Sequence, residues 1–355
     1  MHAEQRPMKS KRPSGFTLIE LMVGLAIGLL LVLVITQVMG VFEAKNRATM
    51  GNADAQTNGG IALYTIGRDM EMAGYSLMPE TSSALECTIL TNNVAGLGGI
   101  SPVSITDGVA TAGVSASDTL VIRYGNSSKG GVMTPVTASP VGNDVPVANS
   151  FGCRVGDIAM VLNGPLCALT TVTGPADIAA FNAAPASQTK VTLQNTTGAV
   201  SGANIACLGP WSEITYAVSN GNLTRNGVPL LSGIVNMQAQ YGVSAAANSN
   251  QITAWVDPTG ATWGAPSLAD RNRIKAVRLA VITRNDRRDP AEVTSACSST
   301  TAASPSGLCA WAGTAVSPAP TVDLSAGDPD WRHYRYRTFE TIIPIRNIIW
   351  AKDTL

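Results

Sequence analysis

The sequence predicts an α+β protein: a long N-terminal helix whose first half spans a membrane, packed through its second half on an antiparallel β-sheet with long, disulfide-stapled loops. Three observations predict this. Residues 21–42 contain no ionisable side chain. Beyond residue 80, short β-type runs alternate with Gly, Asn, Pro and Ser clusters. All six cysteines, Cys87, Cys153, Cys167, Cys207, Cys297 and Cys309, fall in that second region.

The helix comes first. At ~1.5 Å per residue, positions 21–42 reach roughly 33 Å, enough to cross a hydrocarbon core of ~30 Å. The leader before them carries Arg6, Lys9, Lys11 and Arg12 against Glu4. This charge keeps the leader cytoplasmic and exports everything after Phe42. Gly24 and Gly28 form a Gly-x-x-x-Gly pair that permits close helix contact, although glycine is common in membrane helices. The helix then continues into the periplasm, because residues 43–73 lack proline and Ala62, Ile66, Met70 and Ala73 recur at spacings of four and three. That stripe has to be buried. Gly59-Gly60 weakens its middle, and Gly74, with Pro79 beyond it, is a stop signal. The expected division is a leader over 1–15, a membrane helix over 16–42, its continuation over 43–74 and a β-rich head over 75–355.

In the head, Thr119–Tyr124, Ile158–Leu162, Val191–Leu193, Ile214–Val218, Val235–Tyr241 and Ile274–Ile282 read as strands. Asn220-Gly221 and Asn226-Gly227 are tight-turn dipeptides, so 212–243 is expected to be an antiparallel meander. Ala276, Arg278, Ala280 and Ile282 alternate with Val277, Leu279, Val281 and Thr283, which fits a strand with one mixed and one apolar face. Segments 81–118, 125–150, 163–190 and 244–270 read as loop-rich. The Ser/Thr/Ala-rich stretch 294–322 reads as disordered unless a staple holds it.

An even number of cysteines on the exported side points to disulfides. Closeness favours Cys297 with Cys309 and Cys153 with Cys167, leaving Cys87 with Cys207, but sequence alone does not choose among the pairings. Closing a loop of about a dozen residues is worth roughly 3 kcal/mol in the entropic account. With no Cys-x-x-Cys in the chain, neither a redox pair nor a zinc knuckle is indicated.

The search for chemistry gives little. The net charge is zero, from 24 basic and 24 acidic residues, which argues against nucleic-acid binding through a broad basic surface. Past the leader the chain has one histidine, His333, and Gly242-Val243-Ser244-Ala245-Ala246 lacks the last glycine of a nucleophile elbow. Gly96-Leu97-Gly98-Gly99 lacks the lysine and strand-to-helix context of a phosphate loop and reads as a turn. Asp323, Gly327, Asp328 and Asp330 offer hard ligands for calcium, but at no EF-hand spacing, and a solvated acidic loop is the plainer reading. Arg271, Arg273, Lys275, Arg278, Arg284, Arg287 and Arg288 interleave with Asp270, Asp286, Asp289 and Glu292, as on a charged sheet face or subunit contact. Trp331, Tyr334, Tyr336 and Phe339, with Arg332, Arg335 and Arg337, read as a partner-binding patch or as a terminal strand with some exposed aromatics. An enzyme, a cofactor and a metal site are not expected.

Residues 15–22, Gly-Phe-Thr-Leu-Ile-Glu-Leu-Met, stand between the basic leader and the apolar run. They resemble the processing site of type IV prepilins. The resemblance implies a pilin-like fold, cleavage after Gly15 by a prepilin peptidase, methylation of the new N-terminus at Phe16, and a part for Glu20 in filament assembly. Cleavage there leaves the hydrophobic helix on the mature chain, whereas a secretory signal is cut after its apolar run. A carboxylate near the membrane costs a few kcal/mol. Glu20 is either an interfacial residue reaching the headgroups or, as the surrounding match favours, the partner of the freed Phe16 amine in the same or a neighbouring subunit.

Further stretches are similar to the PilW family of minor pilins: Arg68-Asp69-Met70-Glu71-Met72-Ala73-Gly74-Tyr75, Leu223-Thr224-Arg225-Asn226-Gly227 within 214–241, Ala276-Val277-Arg278-Leu279, Tyr336-Arg337-Thr338-Phe339 and Ile345-Arg346-Asn347. Residues 81–150 and 244–270 carry no family feature. The resemblance implies a minor pilin, made in the inner membrane of a Gram-negative cell with a periplasmic head. It would help start a type IV pilus and sit at or near its extracellular tip with other minor pilins, the major pilin and a PilY-type adhesin. The alternatives are a J-type minor pseudopilin of type II secretion and an unassembled single-pass inner-membrane binding protein.

Overall fold

The computed structural model describes residues 15–77, 87, 89–111, 116–174 and 189–350. Arg6, Lys9, Lys11, Arg12 and Pro79 lie outside the described residues. The chain divides into two compact units, residues 1–51 and 52–355.

One helix, α1 (Leu18–Glu71), enters both. Within the first unit its Leu18–Glu43 stretch has a mean hydropathy of 2.9 and is long and apolar enough to cross a membrane. Within the second, Ala62, Ile66 and Met70 are buried, as the spacing predicted. The helix runs unbroken through Gly59-Gly60. Gly59 faces the Phe339 ring, so closely that an added Cβ would overlap it. Regular helix ends at Glu71, and turns follow through Leu77. Gly74 takes φ +77°, and its N–H donates to Arg123 O at 2.9 Å.

The strands then follow in order. The first are β1 (Ile89–Asn92), β2 (Val103–Thr106) and β3 (Thr119–Gly125). A second group contains β4 (Met133–Pro135), β5 (Asp144–Pro146), β6 (Ile158–Asn163), β7 (Leu166–Gly174), β8 (Lys190–Leu193) and β9 (Asn204–Gly209). The rest are β10 (Trp211–Ser219), β11 (Asn222–Arg225), β12 (Val228–Ser232), β13 (Ile234–Ser244), β14 (Ile252–Val256), β15 (Ile274–Arg288) and β16 (Tyr334–Pro344). Short helices α2 (Gly260–Trp263) and α3 (Leu268–Arg273) precede β15, a 3-10 turn (Trp331–His333) precedes β16, and α4 (Arg346–Trp350) follows it.

Two antiparallel sheets pack on the second half of α1: β12-β11-β10-β3-β2 and β14-β13-β15-β16. Their inner faces share one core with the helix, in which Leu120, Tyr216, Met237, Val277, Leu279 and Val281 surround Ile66 and Met70. Both Asn-Gly turns are present, with φ +49° and +71° at Asn220-Gly221 and +54° and +78° at Asn226-Gly227, the double left-handed pair of a type I′ hairpin. The predicted meander holds only through β12. After Gly233, at φ +73°, β13 crosses to the other sheet and pairs with β14 and β15. Side chains join the sheets there. Asp118 Oδ2 accepts from Ala239 N at 2.7 Å, Ser117 Oγ from Met237 N at 3.0 Å, and Tyr241 Oη from Ile105 N at 2.6 Å.

The third sheet closes on itself. Its order is β4-β9-β6-β7-β8-β5. The two ends meet through a Val136–Val147 bridge, with Thr137 N on Pro146 O and Ala148 N on Pro135 O, both at 3.0 Å. The result is a six-stranded barrel. Ala159, Val161, Ala168, Val172, Ile205 and Cys207 point inward. The alternate residues Ile158, Met160, Leu162, Leu169, Ala206 and Leu208 point outward, onto Leu77 and Ile100. This is why 158–162 reads as a continuous apolar run: both of its faces are buried. β1 lies parallel to β7 on the barrel wall. The barrel is inserted between β3 and β10, and the residues flanking it, Gly125 and Trp211, are register partners in the neighbouring sheet.

Several loop expectations are therefore corrected. Strands β1, β2, β4, β5, β7 and β14 lie within the segments read as loops, and most are too short to announce themselves against their Gly, Pro and Thr neighbours. The stretch 294–322, read as disordered, is ordered: Leu308, Ala310, Trp311, Ala319 and Val322 pack on Ala280 and Ile282, the mixed face of β15. Both faces of that strand are buried.

Candidate assembly segment and the surfaces of the head

Gly15, Phe16 and Glu20 lie together at the start of α1. Phe16 is 88% exposed, and Gly24 and Gly28 have open space where a Cβ would stand. Thr17 caps the helix. Its N–H and hydroxyl donate to Glu20 Oε2 at 3.0 and 2.8 Å, while Glu20 N lies 3.4 Å from Thr17 Oγ1. This reciprocal capping box satisfies two helix N–H groups that have no intrahelical acceptor. It also gives the carboxylate two donors within its own chain. The Thr-x-x-Glu spacing is a capping signature legible in the sequence itself, beyond the isolated glutamate.

The disulfides join Cys87 to Cys167, Cys153 to Cys207 and Cys297 to Cys309. Closeness in sequence found the last and mispaired the other four. The barrel explains the error. Cys207 on β9 faces the barrel interior and meets Cys153 from the loop before β6, whereas Cys167 on β7 faces outward and ties Cys87 to the wall. Each bridge serves a different part: the tether to the barrel, the barrel itself, and the segment covering β15.

The basic cluster is spent on internal pairs. Arg273 pairs with Asp270 at 3.0 Å, Arg278 with Glu340 at 2.9 Å, Arg284 with Asp328 at 2.8 Å and Arg288 with Asp330 at 3.1 Å. Arg278 also lies between two indoles, 4.7 Å from the centre of Trp311 and 6.0 Å from that of Trp255. Lys275 is fully buried, its Nζ donates to Ala247 O at 2.5 Å, and burial pushes its pKa down to about 8. Asp323, offered as a calcium ligand, accepts from Ser325 N and Oγ at 2.8 and 2.6 Å; Asp328 and Asp330 are the arginine partners just named. Among the described residues no group of three or more His, Cys, Asp or Glu is placed to hold a metal. His333 Nδ1 sits 3.0 Å from Asp289 O. Of the C-terminal aromatics, Tyr334, Tyr336 and Phe339 lie on β16, where Phe339 packs on Gly59, and Trp331 is buried in the 3-10 turn before it.

Two buried groups, Asp118 and Tyr216, have no local sequence pattern that announces them. Asp118 accepts from Gly108 N at 3.1 Å as well as from Ala239, and burial nevertheless pushes it up to about 7. Tyr216 donates to Asp69 Oδ2 at 2.6 Å, the same oxygen that Arg225 Nε bonds at 2.9 Å, so the acidic residue of the Arg68-Asp69-Met70 run fastens α1 to the β10–β11 hairpin.

Comparison with known proteins bears on this arrangement. The family described as Type IV Pilus-assembly protein W matches residues 212–347, which run from β10 through β16 into α4. The Prokaryotic N-terminal methylation motif matches residues 10–36. The chain is a PilW-like type IV pilin. No curated protein and no solved structure matches it. The two families are pilus structural and assembly proteins, and together they make this a minor pilin of the type IV pilus class with a membrane-anchoring N-terminal helix. The matched ranges leave the barrel between them.

Proposed function

We propose that this pilin helps to initiate a type IV pilus and sits at or near its tip, beside other minor pilins and a PilY-type adhesin, with the major pilin polymerising below. The observation that carries this reading is the head itself. Its PilW-matched strands carry an additional six-stranded barrel, a bulk that a subunit repeated at every helical step would have to accommodate against every neighbour. A terminal position removes that demand. The role is templating, not catalysis.

In this reading the precursor enters the inner membrane with its leader, residues 1–15, in the cytoplasm and its head in the periplasm. Prepilin peptidase cuts the Gly15–Phe16 bond and Phe16 is methylated. The new amine takes the Glu20 carboxylate, in the same or an adjacent subunit, in competition with Thr17. Residues 16–42 then pass from membrane to filament core, and the head becomes extracellular.

Deletion of the gene, with pili counted, tests the assignment. An initiator is needed about once per filament, so its loss should cut the number of pili and leave those that form intact. Gold-labelled antibody should mark pilus ends. Uniform shaft labelling would overturn the tip position, and normal piliation with failed protein secretion would replace it with a type II secretion pseudopilin. N-terminal mass spectrometry of the native protein tests the processing separately: the expected species begins at N-methylated Phe16, and an intact Gly15–Phe16 bond would support an unassembled membrane protein instead.

A further inference from the structure

A cleft of about 430 Å³ opens where the β10–β11 turn, the β15–β16 pair and the segment before the 3-10 turn converge. Its size falls within the range of small-molecule sites, about 300–1,000 Å³. Its lining is mixed. Leu324, Val218 and Val235 supply apolar surface, and Ser219, Asn220 and Tyr336 supply uncharged polar groups. Arg284 and Asp328 are its only charged lining residues among those described. They neutralise each other through a 2.8 Å ion pair, and the guanidinium is further fixed 4.5 Å over the Tyr334 ring.

These features select a chemistry. With its one cation matched by its one anion, the cleft has no net charge to attract an ionic ligand. The paired side chains still offer donors and acceptors held in place before any ligand arrives, which lowers the ordering cost of binding. Burial pushes the Tyr336 phenol up to about 12, so it remains a neutral donor throughout the physiological range. Asn220 stands exposed on a type I′ turn, at φ +49°, and its amide both donates and accepts. An uncharged ligand with many hydroxyls and an apolar C–H face would satisfy every one of these groups.

We propose that the cleft binds a neutral carbohydrate, with a sugar face against Tyr336 and its hydroxyls shared among Asn220, Ser219 and the Arg284–Asp328 pair. The site belongs to the head and does not depend on where along the filament the subunit resides.

Saturation-transfer NMR on the full mature chain in nanodiscs tests this, using glucose, galactose and N-acetylglucosamine as probes and glucose 6-phosphate as the charged comparison. At least one neutral sugar should receive saturation. Asn220→Gly keeps the left-handed turn while deleting the amide, and it should weaken that sugar about fivefold, the worth of one hydrogen bond, with Tm unchanged. Tyr336→Ala should abolish the signal. The proposal is overturned if the wild type transfers saturation to none of the three sugars, if binding is undiminished in Asn220→Gly, or if glucose 6-phosphate binds more tightly than glucose. Because Asn220→Gly leaves the core untouched, its result decides even if Tyr336→Ala fails to fold.

Discussion

Replacing Gly59 and Gly60 of α1 one at a time by alanine sets helix propensity against packing at adjacent positions. Each substitution gains ~0.5–1 kcal/mol, because glycine loses more backbone entropy than alanine on entering a helix. At Gly60 nothing lies within 4 Å of the new methyl, so the gain stands alone and the variant should be more stable than wild type. At Gly59 the methyl meets Phe339, with Cγ at 2.8 Å and two further ring carbons closer still. Cγ is not the far end of a flexible side chain, so relief requires moving β16, which is hydrogen-bonded to β15 along its length. Overpacking of this kind costs ~1–3 kcal/mol, which exceeds the propensity gain through most of its range. Gly59→Ala should therefore be destabilising by up to ~2 kcal/mol. Thermal unfolding of the full chain in detergent, followed by circular dichroism, reads the difference at roughly 2–4 °C per kcal/mol, or less for a head of this size. Adding Phe339→Leu should recover much of the loss, since the two sites are in contact and couple. Equal stabilisation by both alanines would refute the packing account of Gly59.

Other perturbations bear on the rest of the head. Stability should pass through a minimum between about pH 7 and 8. From pH 4 to 7 the folded chain holds a proton on Asp118 that the unfolded chain has released, so stability falls by on the order of 4 kcal/mol from this group, its folded value being about 7 against 3.8. Above pH 8 the unfolded chain holds the extra proton on Lys275, lowered to about 8 from 10.5, so stability rises again. A steady rise in Tm from pH 4 to 8 would overturn this, and Asp118→Asn should flatten the acid limb. Opening Cys153–Cys207 by a double Cys→Ala change frees a loop whose ends are 54 residues apart and should cost ~4 kcal/mol by the entropic account; a change in unfolding free energy under 1 kcal/mol would contradict it. Arg278→Ala removes the cation between Trp255 and Trp311 and should expose 289–330 to proteolysis before the rest of the head; unchanged cleavage would mean that the Cys297–Cys309 staple and apolar packing hold the segment without it.

What the sequence disclosed depended on the range of the interactions involved. The stripe Ala62, Ile66 and Met70 is local, and so are the two Asn-Gly turns, so their periods and dipeptides could be read directly. The strand at 274–282 was legible for its length and alternation, but the cover over its second face was not. Trp311 and Leu308 reach Ala280 from a segment with no periodic pattern of its own, held by a disulfide and by Arg278. The barrel was the hardest to foresee. Its strands β4 and β5 have three residues each and pair with β9 and β8, far away in the chain, and closure rests on a single bridge between Val136 and Val147. The cysteine pairing inherited that blindness, because whether Cys167 points into the barrel or out of it depends on the register of β7. The assembly segment was legible for a different reason: the Gly15–Glu20 pattern is contiguous in the chain and falls within the matched N-terminal methylation motif.

The position of the barrel sets it apart from the strands that the PilW match covers. Gly125 and Trp211 face each other in the β3–β10 ladder, so the chain leaves the sheet and returns to it at neighbouring points, as it would through a tight hairpin. An insertion there leaves the pairing of every other strand in that sheet untouched, which is the condition under which domains are added at loop tips. The PilW match respects the exit of the insertion, since it begins at residue 212, one residue past Trp211. Yet the barrel is not loosely hung. Its outward residues Met160, Leu169 and Leu208 are fully buried with Leu77, and Cys167 is bonded to Cys87, so the insertion is braced against the chain that follows α1. A flexible appendage would need neither the second apolar face nor the tether. Bracing of this kind fixes the barrel's orientation on the head, with the Cys87–Cys167 bridge and the apolar contact around Leu77 acting on the same wall.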